Sequence, residues 1–78
     1  MDDLNKLLEV LGEIRDDVDF AHETGLVDNG LIDSLDLTRI ISGLDEAFDI
    51  LIPAGEIGPE NFNTVQDILA LVRKCQKQ

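Results

Sequence analysis

The sequence is short of the residues on which several kinds of fold and function depend. Its 78 residues include one cysteine, two prolines, three phenylalanines, no tryptophan and no tyrosine. A single cysteine excludes an internal disulfide and a cysteine-rich zinc site. No apolar run is long enough to span a bilayer, and the N-terminus lacks the basic segment and apolar run of a signal peptide. We therefore expect a cytoplasmic protein without membrane insertion.

Positive charge is also scarce. The chain has 17 acidic and 6 basic residues, for a net charge of −11. Residues 16–67 hold a single basic side chain, Arg39, among thirteen acidic ones. Nucleic-acid binding depends on Lys and Arg that neutralise phosphates, and anionic membranes attract basic segments, so neither partner fits. We expect protein partners with basic docking patches, whose approach the negative field accelerates.

The length and apolar content are those of one small domain covering residues 1–78. The apolar fraction of 44% is too high for a disordered chain, and its three-and-four spacing is typical of amphipathic helices. The first predicted helix is capped by Asp2 or Asp3 and ends near Arg15. Its buried positions are Leu4, Leu7, Leu8, Leu11 and Ile14.

The second predicted helix has the clearest start. Asp33 is a suitable N-cap, and Asp36 three residues later makes a variant of the capping box. At about 100° per residue, the apolar residues of this helix fall on one stripe. The stripe contains Leu37, Ile40, Ile41, Leu44 and Phe48, with Ala47 at its edge. Gly43 in the middle costs about 1 kcal/mol relative to alanine, and close packing is the one reason that the sequence offers for it.

One large apolar residue falls outside that stripe. Leu35 lies on the opposite, exposed face, together with Thr38, Arg39 and Ser42. A solvated leucine is therefore expected directly after Ser34, in the first turn of the helix.

The rest of the chain predicts one short and one full helix. Pro59 is suited to the first position of a single turn over residues 59–62. Thr64 opens a last helix with Asp67 in the capping-box position, and Cys75 is expected as a small hydrophobic residue at its edge. The buried positions of this helix are Val65, Ile68, Leu69 and Val72, and its C-terminal cations are Arg73, Lys74 and Lys77.

Residues 16–33 follow no helical or alternating pattern. A loop of this length is uncommon unless it packs its own side chains. We expect an ordered connection anchored by Phe20, Leu26, Leu31 and Ile32. The predicted fold is therefore all-α, a small four-helix bundle of three main helices and one short helix, with a long ordered loop between the first two helices.

The motifs of catalytic and metal sites are missing. There is no Gly-rich phosphate loop, no dinucleotide fingerprint and no nucleophile elbow around Ser34. A calcium loop counted from Asp28 fails because its third and fifth positions, Gly30 and Ile32, lack side-chain oxygens. His22 is interpreted as an exposed loop residue. We expect neither an enzyme nor a metal site.

Residues 30–36 allow two interpretations. In the first, Asp33 only caps a helix, Ser34 has no chemical role, and the chain is an unmodified acidic helical interaction module. In the second, the exposed hydroxyl of Ser34, next to the exposed Leu35, is a modification site beside a docking surface. Capping alone favours the first interpretation.

The motif around Ser34 resembles the acyl carrier protein family. Asp33-Ser34-Leu35-Asp36 is followed by Leu44-Asp45-Glu46-Ala47-Phe48-Asp49-Ile50, by Ile52-Pro53, and by Thr64-Val65-Gln66-Asp67-Ile68. A bare Asp-Ser-Leu is a weak signal, but these segments at these intervals in an acidic chain of this length are specific. The resemblance runs over most of the chain.

The resemblance implies a carrier that catalyses nothing. Ser34 matches the serine that receives 4′-phosphopantetheine from coenzyme A, whose thiol then holds an acyl group as a thioester. Asp33 matches the acidic residue beside that serine, and Leu35 and Asp36 match positions where partner enzymes dock. The implied partners are a phosphopantetheinyl transferase, a loading ligase and a downstream transferase or synthase. We expect the carrier to be a monomer.

Three residues depart from the pattern of fatty-acid carriers. Arg39 stands where an acidic residue is usual, and Thr38 and Ser42 stand where apolar residues are common. The docking face is thus predicted to consist of Leu35, Asp36, Thr38, Arg39 and Ser42.

The third quarter of the chain is similar to D-alanyl carrier proteins. The similarity lies in Phe48-Asp49-Ile50, Pro53, Glu56-Ile57-Gly58 and Asn61-Phe62-Asn63-Thr64. Leu35 departs from that group, which usually has methionine after the modified serine. We predict a specialised carrier of an acyl or aminoacyl group, and the alternative is a housekeeping carrier of fatty-acid synthesis.

Overall fold

Four α-helices and one 3₁₀ turn make up the computed structural model, which describes residues 3–76. They are α1 (Asp3–Ile14), α2 (Ser34–Phe48), the 3₁₀ turn (Ala54–Glu56), α3 (Pro59–Phe62) and α4 (Val65–Gln76). The predicted all-α fold of three main helices and one short helix is confirmed. The 3₁₀ turn was not predicted, and the proposed cap Asp2 and the cation Lys77 lie outside the described residues.

The core lies where α1, α2 and α4 meet, and it includes the fully buried Phe62 of α3, which packs on α4. The apolar stripes predicted from the spacing provide its centre: Leu7, Leu11, Ile40, Leu44, Ile68 and Val72 are all completely buried. Leu37 and Ile41 of the predicted stripe are half-buried and pack against this cluster. Helical periodicity therefore identified the correct face of each main helix.

Helices α1 and α2 approach closely at Gly43. A Cβ atom at this position would lie 3.0 Å from Cγ1 of Val10 in α1, which is tighter than ordinary van der Waals contact. The unfavourable helix propensity of glycine is therefore offset by the closer packing of the two helices. This contact confirms the close packing predicted at Gly43.

The long connection between α1 and α2 is held by its own apolar residues. Phe20, Leu26 and Ile32 are buried in the core, and Leu31 is half-buried against it. The predicted anchoring of an ordered loop is confirmed.

Hydrogen bonds to Asn63 also hold the connection. The carbonyl of Asn63 accepts from the Leu26 amide, and its side-chain Oδ1 accepts from the amides of Val27 and Asp28, each at 3.0 Å. Its Nδ2 donates to the Asp28 carboxylate, also at 3.0 Å. One asparagine before α4 thereby fixes a loop more than thirty residues away in the sequence.

None of the helices in the described part of the chain is both long and apolar enough to cross a membrane.

Candidate functional site

The site is built on the first turn of α2, where a complete capping box forms. The side chain of Asp33 accepts a hydrogen bond from the Asp36 amide at 2.8 Å, and the Asp36 side chain accepts from the Asp33 amide at 3.2 Å. Two orphan amides of the helix start are satisfied in this way. The sequence prediction of Asp33 as N-cap and Asp36 as its capping-box partner is confirmed.

Ser34 is the first residue of α2 and is exposed. No group within residues 3–76 hydrogen-bonds its hydroxyl. The backbone amides of Ser34 and Leu35 have no acceptor within the helix, and the helix dipole places partial positive charge there. The first turn therefore presents a free hydroxyl in a position that favours an attached phosphate group.

The position of Asp36 differs from the expectation that it belongs to the docking face. Asp36 is only 5% exposed, and its carboxylate accepts a short hydrogen bond of 2.6 Å from Nη1 of Arg15. Capping and the ion pair both draw this carboxylate inward. Asp36 is therefore not accessible on the surface of the free protein, and its role in docking stays a prediction.

Sequence reasoning missed the role of Arg15. Its Nε and Nη2 also donate to the two carboxylate oxygens of Asp17, each at 2.9 Å. Hydrogen bonds to Asp17 and then to Asp36 raise the pKa of Arg15, and the bond from Arg15 lowers the pKa of Asp17. No periodicity places Arg15 near Asp36, because 21 residues separate them; only the cation at the end of α1 hinted at such a role.

The remaining predicted docking residues share one exposed face. Leu35 is 59% exposed, and Thr38, Arg39 and Ser42 are all exposed beside it along α2. The hydroxyl of Thr38 donates to the carbonyl of Ser34 at 3.0 Å. With Asp36 buried, Arg39 is the only charged member of this face, and it forms no ion pair within residues 3–76.

A second exposed apolar residue lies at the other end of α2. Leu51 is 79% exposed and lines a shallow groove of about 460 Å³ with Ile50, Pro53 and Cys75. The groove is roughly 20 Å from Ser34 along the helix, given a rise of 1.5 Å per residue. It is therefore a separate surface from the face that surrounds Ser34.

Two other sequence predictions agree with the structure. His22 is an exposed loop residue whose Nδ1 lies 2.9 Å from Oδ2 of Asp19. Cys75 is buried at the edge of α4, and burial raises the pKa of its thiol. Within the described residues, no group of three or more His, Cys, Asp and Glu side chains is arranged to hold a metal ion.

Comparison with known proteins gives one family and several relatives. The family model "Phosphopantetheine attachment site" matches residues 4–72. A protein of Lactobacillus acidophilus named "D-alanyl carrier protein" is 29% identical over 79 residues, which cover 100% of both chains. Proteins of the same name from Streptococcus uberis and Streptococcus mutans are 36% and 31% identical, over 78% and 88% of this chain and 77% and 89% of theirs. No solved structure gave a significant match.

Proposed function

The chain belongs to the phosphopantetheine attachment site family, and we propose that Ser34 is the residue to which the cofactor is attached. The protein is a carrier whose covalent 4′-phosphopantetheine holds an acyl or aminoacyl group as a thioester and presents it to partner enzymes. We propose that residues 1–78 act as one carrier domain in the cytoplasm.

The observation that carries the assignment is the free hydroxyl of Ser34 at the first position of α2. The cofactor fits this residue, because the side chain is exposed and the helix N-terminus favours the negative charge of a phosphodiester. The flexible arm supplies the thiol that carries the cargo. Asp33 orders the backbone around Ser34 through its cap.

The transfer needs a second protein. In this transfer, Oγ of Ser34 would attack the phosphorus of coenzyme A that bears the pantetheine group, so that an Oγ–P bond forms while the P–O bond to adenosine 3′,5′-bisphosphate breaks. The hydroxyl proton needs a base, and no described residue of this chain hydrogen-bonds Oγ. We propose that a phosphopantetheinyl transferase supplies that base and that this chain itself catalyses nothing.

Intact mass tests the attachment. The apo-protein is incubated with coenzyme A, Mg²⁺ and a promiscuous phosphopantetheinyl transferase. The wild type should gain the mass of one 4′-phosphopantetheine group. Ser42 is the other serine of the chain, so Ser42→Ala is the matched control and should gain the same mass, whereas Ser34→Ala should gain none. A gain that persists in Ser34→Ala would refute the assignment.

For the cargo, we propose an aminoacyl group. The relatives named "D-alanyl carrier protein" support this proposal, and so does Arg39 on the face beside Ser34, where an acidic residue would suit basic fatty-acid enzymes. The loading ligase and a downstream transferase are the proposed partners. A loading enzyme that binds this face needs an apolar surface to contact Leu35 and a hydrogen-bond acceptor for Arg39.

Loading separates the specialised carrier from a housekeeping fatty-acid carrier. The holo-protein is offered D-alanine with a D-alanine carrier ligase and ATP, or a fatty acid with an acyl carrier ligase and ATP. Thioester formation should be faster with D-alanine, and Arg39→Glu should shift the preference toward the fatty acid. Faster loading of the fatty acid by the wild type would overturn the proposed cargo and leave the carrier function intact.

A further inference from the structure

One ion pair connects the end of α1 to the first turn of α2, beside Ser34. Nη1 of Arg15 donates to Oδ2 of Asp36 at 2.6 Å, and the same oxygen accepts the Asp33 amide at 3.2 Å. The Asp36 side chain is 7% exposed, whereas that of Arg15 is 31% exposed. Ser34 lies between the two aspartates of the capping box, and Arg15 binds the second of them.

Arg15 is itself fixed at its end of the pair. Its backbone amide donates to the Leu11 carbonyl at 3.0 Å, which continues the last turn of α1. Its guanidinium binds both carboxylate oxygens of Asp17 as a fork, a geometry that restricts the side chain. Arg15 is therefore held by the last turn of α1 and by Asp17. Its Nη1 atom is left to bind Asp36 in α2.

Removal of Arg15 would leave Asp36 as a buried carboxylate with one backbone donor. A buried charge that loses its partner is strongly unfavourable, so the carboxylate would turn toward water. That rotation gives up the hydrogen bond to the Asp33 amide and opens half of the capping box. The first turn of α2, whose backbone positions the side chain of Ser34, would lose this support.

We infer that Arg15 and Asp36 are positioning residues for the modification of Ser34, an inference that rests on the proposed function. They touch neither the cofactor nor the reacting atoms. They hold the first turn of α2 so that Oγ of Ser34 points at the coenzyme A phosphorus when the transferase docks. Small displacements of a reacting group cost up to about 100-fold in rate.

Steady-state kinetics of the transferase with apo-protein variants tests this inference. Arg15→Gln and Asp36→Asn should each lower kcat by roughly tenfold or more and leave KM within about twofold, since the exposed residues of the docking face are unchanged. Asp16→Asn is the matched control, because Asp16 is an exposed neighbour of Arg15 that takes no part in the hydrogen bonds of Arg15 to Asp17 and Asp36. It should be modified at the wild-type kcat. All assays use a temperature at which circular dichroism shows each variant folded.

The double variant Arg15→Gln/Asp36→Asn distinguishes an effect on the position of Ser34 from an effect on the stability of the fold. It also replaces Arg15→Gln in the test if that single variant does not fold. It contains no unpaired buried charge, so its Tm should recover relative to Arg15→Gln. Its kcat should stay low, because the connection from α1 to α2 is still missing. Recovery of kcat together with Tm would overturn the inference.

Two other results would also overturn it. A raised KM in Asp36→Asn with unchanged kcat would mean that Asp36 contacts the transferase directly. Wild-type kinetics in both single variants would mean that the pair plays no part in the reaction. Either result leaves Ser34 as the attachment site, whereas failure of the wild type to be modified would refute the proposed function itself.

Discussion

At the scale of single residues, Leu35 and Leu44 lie on opposite faces of α2, and we predict a role in docking for Leu35 and in folding for Leu44. Leu44 is completely buried in the core, whereas Leu35 is 59% exposed beside Ser34. The same chemical change at the two positions should therefore have unrelated consequences.

We predict that Leu44→Ala lowers the free energy of unfolding by about 2–5 kcal/mol, much of what a domain of this size has. Leu35→Ala should change it by no more than about 0.5 kcal/mol and yet slow the modification of Ser34 or the loading of the arm. Thermal unfolding followed by circular dichroism gives the stabilities, and intact mass against time gives the rates. A Leu35→Ala protein that unfolds, or that is modified and loaded at wild-type rates, would contradict the docking role.

The Cys75 thiol gives a second prediction at this scale. Burial raises its pKa, and the thiolate is the reactive form. Alkylation of Cys75 in the apo-protein should therefore be slow at neutral pH. Its rate should keep rising as the pH passes the ordinary pKa of a cysteine. The holo-protein should gain one fast-reacting thiol, that of the cofactor arm. Equal fast labelling of apo-protein and holo-protein would contradict the burial of Cys75.

At the scale of the elements, Asn63 joins the start of α4 to the loop before α2. We predict that Asn63→Ala lowers the free energy of unfolding by about 1–3 kcal/mol, because the part-buried Val27 amide and the exposed Asp28 amide both lose their acceptor, at about 0.5–1.5 kcal/mol for each hydrogen bond. Hydrogen exchange at these two amides should accelerate more than exchange in α1. Asn63→Asp keeps the acceptors and is the matched control for their loss, although it sets a carboxylate against Asp28. Unchanged protection of both amides in Asn63→Ala would show that apolar packing alone holds the loop.

The elements that follow from local rules were predictable from the sequence. Amphipathic spacing identified the buried faces, the Asp33 cap placed the start of α2, and Pro59 placed α3. The 3₁₀ turn was not predicted, because a single turn without an apolar stripe has no periodicity. The burial of Asp36 depends on Arg15, and the order of the loop depends on Asn63, and both contacts join residues far apart in the sequence. The resemblance that assigned Asp36 to the docking face therefore did not reveal that Arg15 holds this side chain inward.

At the scale of the whole molecule, the net charge of −11 acts on stability and on partner choice. Self-repulsion destabilises the compact state, and salt screens it. The negative field also attracts basic partners, whereas the face beside Ser34 offers Arg39 as its one charge. We therefore expect long-range attraction and local recognition to use different parts of the surface.

We predict that the Tm rises as NaCl is added from low to physiological ionic strength, because screening weakens the repulsion among acidic residues. Each kcal/mol gained should raise the Tm by about 4–8 °C for a domain of this size. Differential scanning calorimetry measures the shift. A Tm that stays constant or falls over this range would mean that attractive ion pairs such as Arg15–Asp36 outweigh the repulsion.

The central claim is that the cofactor is attached at Ser34, and peptide mass mapping of the holo-protein tests it most directly. Trypsin cleaves after Arg15, Arg39 and Arg73, so residues 16–39 contain Ser34 and residues 40–73 contain Ser42. The mass of 4′-phosphopantetheine should appear on peptide 16–39, with fragment ions that assign it to Ser34. A modified peptide 40–73, or a holo-protein whose peptide 16–39 is unmodified, would contradict the account.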